Sequence, residues 1–211
     1  MVASSAPRVT LSTTSVYPES TADAFARAKA IGYDGVELMV GIDPVAADVD
    51  RIVELSAEHD VKVWSIHAPC LLVTPNVWGG DSWGKLDKAA EAAGRLDSKL
   101  IVVHPPFRWQ RDYASRFEEG IAELNEKYAP LVFAVENMYP WRTPAGRFAA
   151  YLPGFDPTKL SYDHLVLDLS HAATAQMDSR KLVDLWGPRL RHIHLTDGSG
   201  TFKDEHLLPG R

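Results

Sequence analysis

The sequence predicts an α/β protein, a (β/α)8 TIM barrel with seven βα units present and the eighth missing. Three observations carry this. Seven short apolar runs, rich in β-branched residues, recur along the 211 residues and alternate with segments of helical periodicity. Most of these runs are apolar at consecutive positions, as in parallel strands covered on both faces. No Gly-x-Gly-x-x-Gly follows the first run and no Gly-Lys-Ser/Thr loop occurs, so a nucleotide-binding doubly wound sheet would lack its phosphate cradle.

Val9 to Val16 reads as the first strand, broken by Pro18 and Glu19. Ser20 with Asp23 forms a capping box for a helix whose inner face is Ala24, Ala28 and Ile31, and Gly32 stops it. Gly35 to Val40 is the second strand. Asp43-Pro44 supplies an N-cap and a first helical residue, with Val45, Val49, Ile52 and Val53 as the buried stripe. Val61 to His67 is the third strand. A loop with Pro75, Gly79 and Gly80 then leads to a helix marked by Leu86, Ala89, Ala93 and Leu96. Leu100 to His104 is the fourth strand, cut by Pro105-Pro106, and Tyr113, Phe117, Ile121 and Leu124 mark the fourth helix. Leu131 to Glu136 is the fifth strand. Residues 137–163, rich in Pro, Gly and aromatics, give no helix. Leu165 to Asp168 is the sixth strand, a helix surrounds Leu182 to Trp186, and Leu190 to His194 is the seventh strand.

Residues 1–211 therefore read as one barrel domain, cut short before the last strand. A seven-stranded open barrel has two unpaired edges, which proteins avoid, so the natural chain is expected to continue. The formal charge of −6 argues against a nucleic-acid grip built from bulk positive charge, though not against a local patch aided by metals. A single cysteine, Cys70, excludes an internal disulfide and suits a reducing cytoplasm. No apolar stretch approaches a membrane span and the first residues lack a signal-peptide core, so a cytoplasmic protein without a membrane partner is expected.

Function is concentrated at strand ends. His67, His104, Glu136, Asp168 with His171, and His194 each follow a β-rich run, and Asp204 and His206 follow the turn Asp197-Gly-Ser-Gly. Barrel enzymes build their sites at the carboxyl ends of strands. One histidine there is ordinarily a satisfied core residue; five successive strands ending in His, His, Glu, Asp and His point to metal binding. The mixture of imidazoles and carboxylates suits Zn²⁺ or Mn²⁺ better than Mg²⁺.

These motifs resemble the xylose-isomerase-like barrels, a family that includes sugar isomerases and epimerases, hydroxypyruvate isomerase and endonuclease IV. The resemblance rests on Gly32-Tyr-Asp-Gly-Val-Glu-Leu38, His67-Ala-Pro, Val-Val-His104-Pro, Val-Glu136-Asn, Leu-Asp168-Leu-Ser-His171, Ile-His194-Leu-Thr-Asp and Asp204-x-His206-x-x-x-Gly. It implies that Glu136, Asp168 and His194 are three of the four ligands of a single divalent metal, the fourth being a Glu on the absent eighth strand. It also implies that His67, His104, His171, Asp204 and His206 match the further positions of the three-metal cluster of endonuclease IV. One to three ions are thus expected, with Glu136, Asp168 and His171 as catalytic groups.

An isomerase needs one metal to hold adjacent substrate oxygens and a carboxylate to move a proton; a phosphodiesterase needs ions about 3.5–4 Å apart. The non-basic composition favours isomerisation or epimerisation of a sugar or sugar phosphate. The alternatives are an endonuclease IV-like hydrolase of abasic DNA and an inactive barrel used for binding. Trp78, Trp109 and Trp141 are expected to stack on a sugar ring or base, and Arg108 and Arg142 to hold a phosphate. Plugging of the barrel mouth and solvated arginines are the plain alternatives. Ser170, beside His171 but without a Gly-x-Ser-x-Gly elbow, is not expected to be a nucleophile. His192 is expected to support His194 from one layer deeper, Glu37 to have a hydrogen-bonding role, and Cys70 to be a small buried thiol. Homodimers fit such barrels, though no exposed stripe singles one out.

Overall fold

The computed structural model describes residues 6–70, 74–143 and 146–210. The chain forms two compact units, one up to Ile101 and one from Val102. Among the described residues no helix is long and apolar enough to cross a membrane.

The first unit runs β1 (Thr10–Ser12), α1 (Thr21–Ile31), β2 (Gly35–Met39), α2 (Pro44–Ala47), α3 (Val49–His59), β3 (Val63–His67) and α4 (Ser82–Leu96). β1 pairs in parallel with β2, and β2 with β3, with Met39 opposite His67. The first strand is shorter than the sequence suggested. From Thr13 the chain turns, with Ser15, Tyr17 and Glu19 each donating to the carbonyl three residues back, as small hydroxyl residues favour. The capping box is present: Asp23 N donates to Ser20 Oγ at 3.3 Å and Ser20 N to Asp23 Oδ2 at 2.9 Å. Gly32 closes α1 in the left-handed region at φ 91°.

The expected second helix is split. Asp43 caps it and Pro44 opens it, but Asp48 accepts from Arg51 N at 3.2 Å and starts α3 afresh. An aspartate inside a helical pattern can compete for the backbone in this way. The buried face accordingly becomes Ala46, Ile52 and Leu55 rather than the valines. α4 buries Leu86, Ala89 and Ala93, while Leu96 is only half-buried.

β4 (Leu100–Val103) carries the chain into the second unit. There follow α5 (Arg111–Ser115), α6 (Phe117–Lys127), β5 (Val132–Glu136), β6 (Trp141–Thr143), β7 (Gly146–Phe148), β8 (Leu165–Asp168), α7 (Leu169–Ala175), α8 (Ser179–Trp186) and β9 (Leu190–His194). β5, β8 and β9 pair in parallel, with Glu136 opposite Val166 and Asp168 opposite His194. The expected fourth helix breaks at Arg116, yet Tyr113, Phe117, Ile121 and Leu124 are all buried. Among the described residues of 137–163, β6 and β7 pair antiparallel and Pro157–Lys159 make a 3-10 turn. α7 had no counterpart in the sequence reading, because Leu-Ser-His-Ala-Ala-Thr-Ala carries almost no long apolar side chain to mark a face. Phe133, Leu165 and Leu167 have no exposure; burying such a side chain contributes about 1.5–3 kcal/mol, and this core fixes the strand ends.

Candidate metal centre

Three strand ends of the second unit converge. Asp168 and His194 are register partners, so they project to the same side, and Glu136 shares that side because its partner Val166 lies two residues before Asp168. Glu136 and Asp168 are buried at 1% and 0% exposure. His194 Nδ1 lies 3.2 Å from Glu136 Oε1 and 3.4 Å from Asp168 Oδ2. His104, just past β4, donates from Nε2 to Glu136 Oε2 at 3.0 Å. One ligand atom from each of Glu136, Asp168 and His194 lies within 4.8 Å of the others, the spacing a single ion requires.

Asp168 also caps α7, its Oδ1 accepting from His171 N at 2.8 Å. Its other oxygen, Oδ2, is buried with no hydrogen-bond partner among the described residues. Leaving a buried carboxylate oxygen unsatisfied is costly, and a divalent cation beside it removes that cost. The donor set therefore fits a metal.

A second group adjoins the first. One turn into α7, His171 donates from Nδ1 to the carbonyl of Asn137 at 2.8 Å, leaving Nε2 facing Asp204 Oδ2 at 3.3 Å. Tying one ring nitrogen to a carbonyl is how proteins orient a ligating imidazole. His206 Nε2 is 2.9 Å from the same Asp204 oxygen. Asp168, His171 and His206 again offer ligand atoms within 4.8 Å of one another.

Charge binds these groups together. Burial pushes the Glu136 carboxyl up, but the charges of His194 and His104 and hydrogen bonds from His104 and His171 hold it well below its ordinary value. Burial pushes His171 down, and the Asp168 charge together with Asp204 and Glu136 raises it well above the usual imidazole range. The hydrogen bond to Asp204 raises His206. Asp204 is held below the usual carboxylate range, its burial outweighed by His171, His206 and Ser170. Tyr139 packs its ring 5.0 Å from His171, and burial with the nearby Asp204 and Asp168 charges pushes its phenol up to about 12.

His67 ends β3 in the first unit, buried, with Nδ1 3.3 Å from Ala68 O. Trp78, also in that unit, donates its indole N–H to Ala47 O at 2.9 Å. Glu37 is buried and accepts from Ser65 Oγ at 2.6 Å. Cys70 is half-buried. In the second unit Trp109, 49% exposed, stacks on Phe107 at 4.7 Å, and Trp141 tilts against both. Arg108 is fixed by its backbone N–H to Ala150 O at 2.8 Å, its guanidinium 5.3 Å over Phe148. The side chain of Arg142 lies outside the described residues. His192 meets His194 edge to face at 5.2 Å.

Sequence reasoning did not anticipate the roles of Asn137 and Ser170. The Asn137 side chain accepts from Asp168 N at 2.7 Å and donates to Asp168 O at 3.1 Å, joining β5 to β8 next to two candidate ligands. Its adjacency to Glu136 was the only available signal. Ser170, buried in α7, bonds to the loop that carries Asp204 and His206.

A family model described as xylose isomerase-like TIM barrel matches residues 25–211. Two uncharacterized proteins, ML2432 of Mycobacterium leprae and Rv0498 of Mycobacterium tuberculosis, are each 44% identical to this chain, over 97% of its length and 79% of theirs. A D-tagatose 3-epimerase-like protein superposes with a TM-score of 0.66 at 22% identity, covering 95% of this chain and 79% of that one. Endonuclease IV from Thermus thermophilus gives 0.57 at 23% identity, covering 95% and 81%. At such identities these two structures show a shared fold alone.

Proposed function

The chain belongs to the xylose isomerase-like TIM-barrel family, and from that premise we propose that it is a divalent-metal-dependent isomerase or epimerase of a sugar or sugar phosphate. The observation that carries the reading is Asp168 Oδ2, buried and without a hydrogen bond among the described residues, beside Glu136 and 3.4 Å from His194 Nδ1. These three residues would hold one Zn²⁺ or Mn²⁺, which when bound polarises a carbonyl and steadies adjacent oxygens. Glu136, ringed by imidazoles, is kept ionised and so presents a carboxylate oxygen to the ion. Tyr139, kept protonated, offers a neutral hydroxyl donor beside His171. Trp109 and Trp141 offer faces on which a sugar ring can stack, and Arg108 a cation for a phosphate.

The test is metal analysis combined with ketose–aldose interconversion and epimerisation assays on the metal-loaded protein. Turnover that disappears on chelation and returns with Zn²⁺ or Mn²⁺ supports the reading; metal-independent turnover contradicts it.

A second reading, a phosphodiesterase of abasic DNA, is favoured by one observation: Asp168 belongs to both ligand groups. Phosphoester cleavage uses neighbouring ions, and a residue common to both groups would place them close together. Here His171 and His206, steadied by Asp204, supply the further ligands. Nicking of an abasic oligonucleotide with no activity on sugars would select this reading.

A further inference from the structure

We infer that Ser170 is a positioning residue: it holds Asp204 against His171 and His206 and fixes the backbone of His206, so that the second ligand group, Asp168, His171 and His206, can take an ion of its own. This rests on the metal reading above.

The hydroxyl of Ser170 has no exposure and is fully committed. It donates to Asp204 Oδ1 at 2.7 Å and accepts from the backbone N–H of Glu205 at 3.2 Å and of His206 at 3.1 Å. One donor and two acceptor sites are all a serine has, and all three go to one loop. With Oδ1 so engaged, Asp204 turns Oδ2 toward His171 Nε2 and His206 Nε2. No imidazole takes the Ser170 proton, so the order is Ser–Asp–His and not that of a nucleophile and its base.

The loop needs this tether. Asp197 and Leu207 close it with two backbone bonds of 2.8 Å, and Thr174 Oγ1 donates to Lys203 O at 3.0 Å. A side chain at Gly198 would meet Ala173 Cβ at 3.0 Å, so the loop lies tightly on α7. His206 has φ 45°, a left-handed conformation uncommon for a residue with a side chain, and Ser170 holds the N–H of that residue. The ends of β5, β8 and β9 receive no bond from the Ser170 hydroxyl, so the ligands Glu136, Asp168 and His194 do not depend on it.

Calorimetric titration of the metal-free protein with Zn²⁺ tests this, alongside thermal melts of the same samples. The wild type is expected to take two ions. Ser170→Ala is expected to keep the tighter one within about threefold and to weaken the other by roughly 10–100-fold, the usual cost of losing a residue that orients a ligand. Ser170→Thr and Ser170→Val have nearly the same shape and differ in the hydroxyl; threonine should retain the weaker ion and valine lose it. This contrast stands even if alanine compromises folding. Equal binding of both ions by valine and threonine, or equal weakening of both ions by alanine, overturns the inference. A wild type that takes one ion overturns the inference but leaves the strand-end group standing; one that takes none overturns the metal reading as well.

Discussion

Glu136, Asp168 and His194 reach their corner from the ends of three hydrogen-bonded parallel strands, whereas Asp204 and His206 reach theirs from an irregular loop. In the first group, pairing register brings a carboxylate and an imidazole together, and the buried core keeps them there. In the second, position depends on individual bonds: Ser170 to the loop, Asn137 to His171, and Asp204 to both imidazoles. His206 keeps 48% of its side chain exposed while Asp168 keeps none. A strand-end site is preorganised by the fold as a whole, and a loop-borne site only by the contacts that fasten the loop.

The largest effect is expected where the groups meet. Asp168→Asn should abolish binding of both ions and cost about 4 kcal/mol of transition-state stabilisation, roughly a thousandfold in rate. Asparagine still caps α7, so the helix should persist, as circular dichroism would show. A variant with normal metal content would break the comparison at its hinge.

Next come single imidazoles. His194→Ala should remove the strand-held ion and leave the other, while His206→Ala should remove only the loop-held one. Zn²⁺ titration of both variants checks this, and the reverse outcome would contradict the contrast.

The pH dependence of the metal-free protein sharpens it further. His171 is raised in the folded state, so its contribution to stability is full below the ordinary imidazole value of about 6.5 and is lost as pH rises through its folded value. Glu136 and Asp204 are lowered, so theirs is full above the ordinary carboxylate values near about 4 and lost as pH falls through the folded ones. Melting temperature should therefore be highest in the mildly acidic range and decline on either side. Zn²⁺ should flatten the alkaline decline, because metals bind the neutral imidazole. A monotonic rise to alkaline pH without metal would contradict these shifts.

The smallest effect lies away from both corners. Ser20→Ala breaks the capping box of α1 and should cost about 1 kcal/mol without changing metal content.

The strand-held corner was far more legible in the sequence than the loop-held one. Leu190 to His194 is a strand with the bounds the sequence suggested, though it alternates between half-buried and exposed residues; β5 and β8 end at the expected Glu136 and Asp168, because continuous apolar runs identify buried parallel strands. Helix breaks at Asp48 and Arg116 were invisible to periodicity, since the apolar spacing continues across them. The paired strands β6 and β7 left little trace, each being three residues long. Ser170 and Asn137 were illegible for a different reason: their roles come from partners more than 30 residues away, a distance at which spacing carries no signal.

Anomalous diffraction from a crystal equilibrated with Zn²⁺ tests the central claim most directly. An ion should lie within about 2.0–2.2 Å of a carboxylate oxygen of Glu136, of Asp168 Oδ2 and of His194 Nδ1. A zinc-saturated crystal whose only anomalous peaks lie away from these three side chains would contradict it.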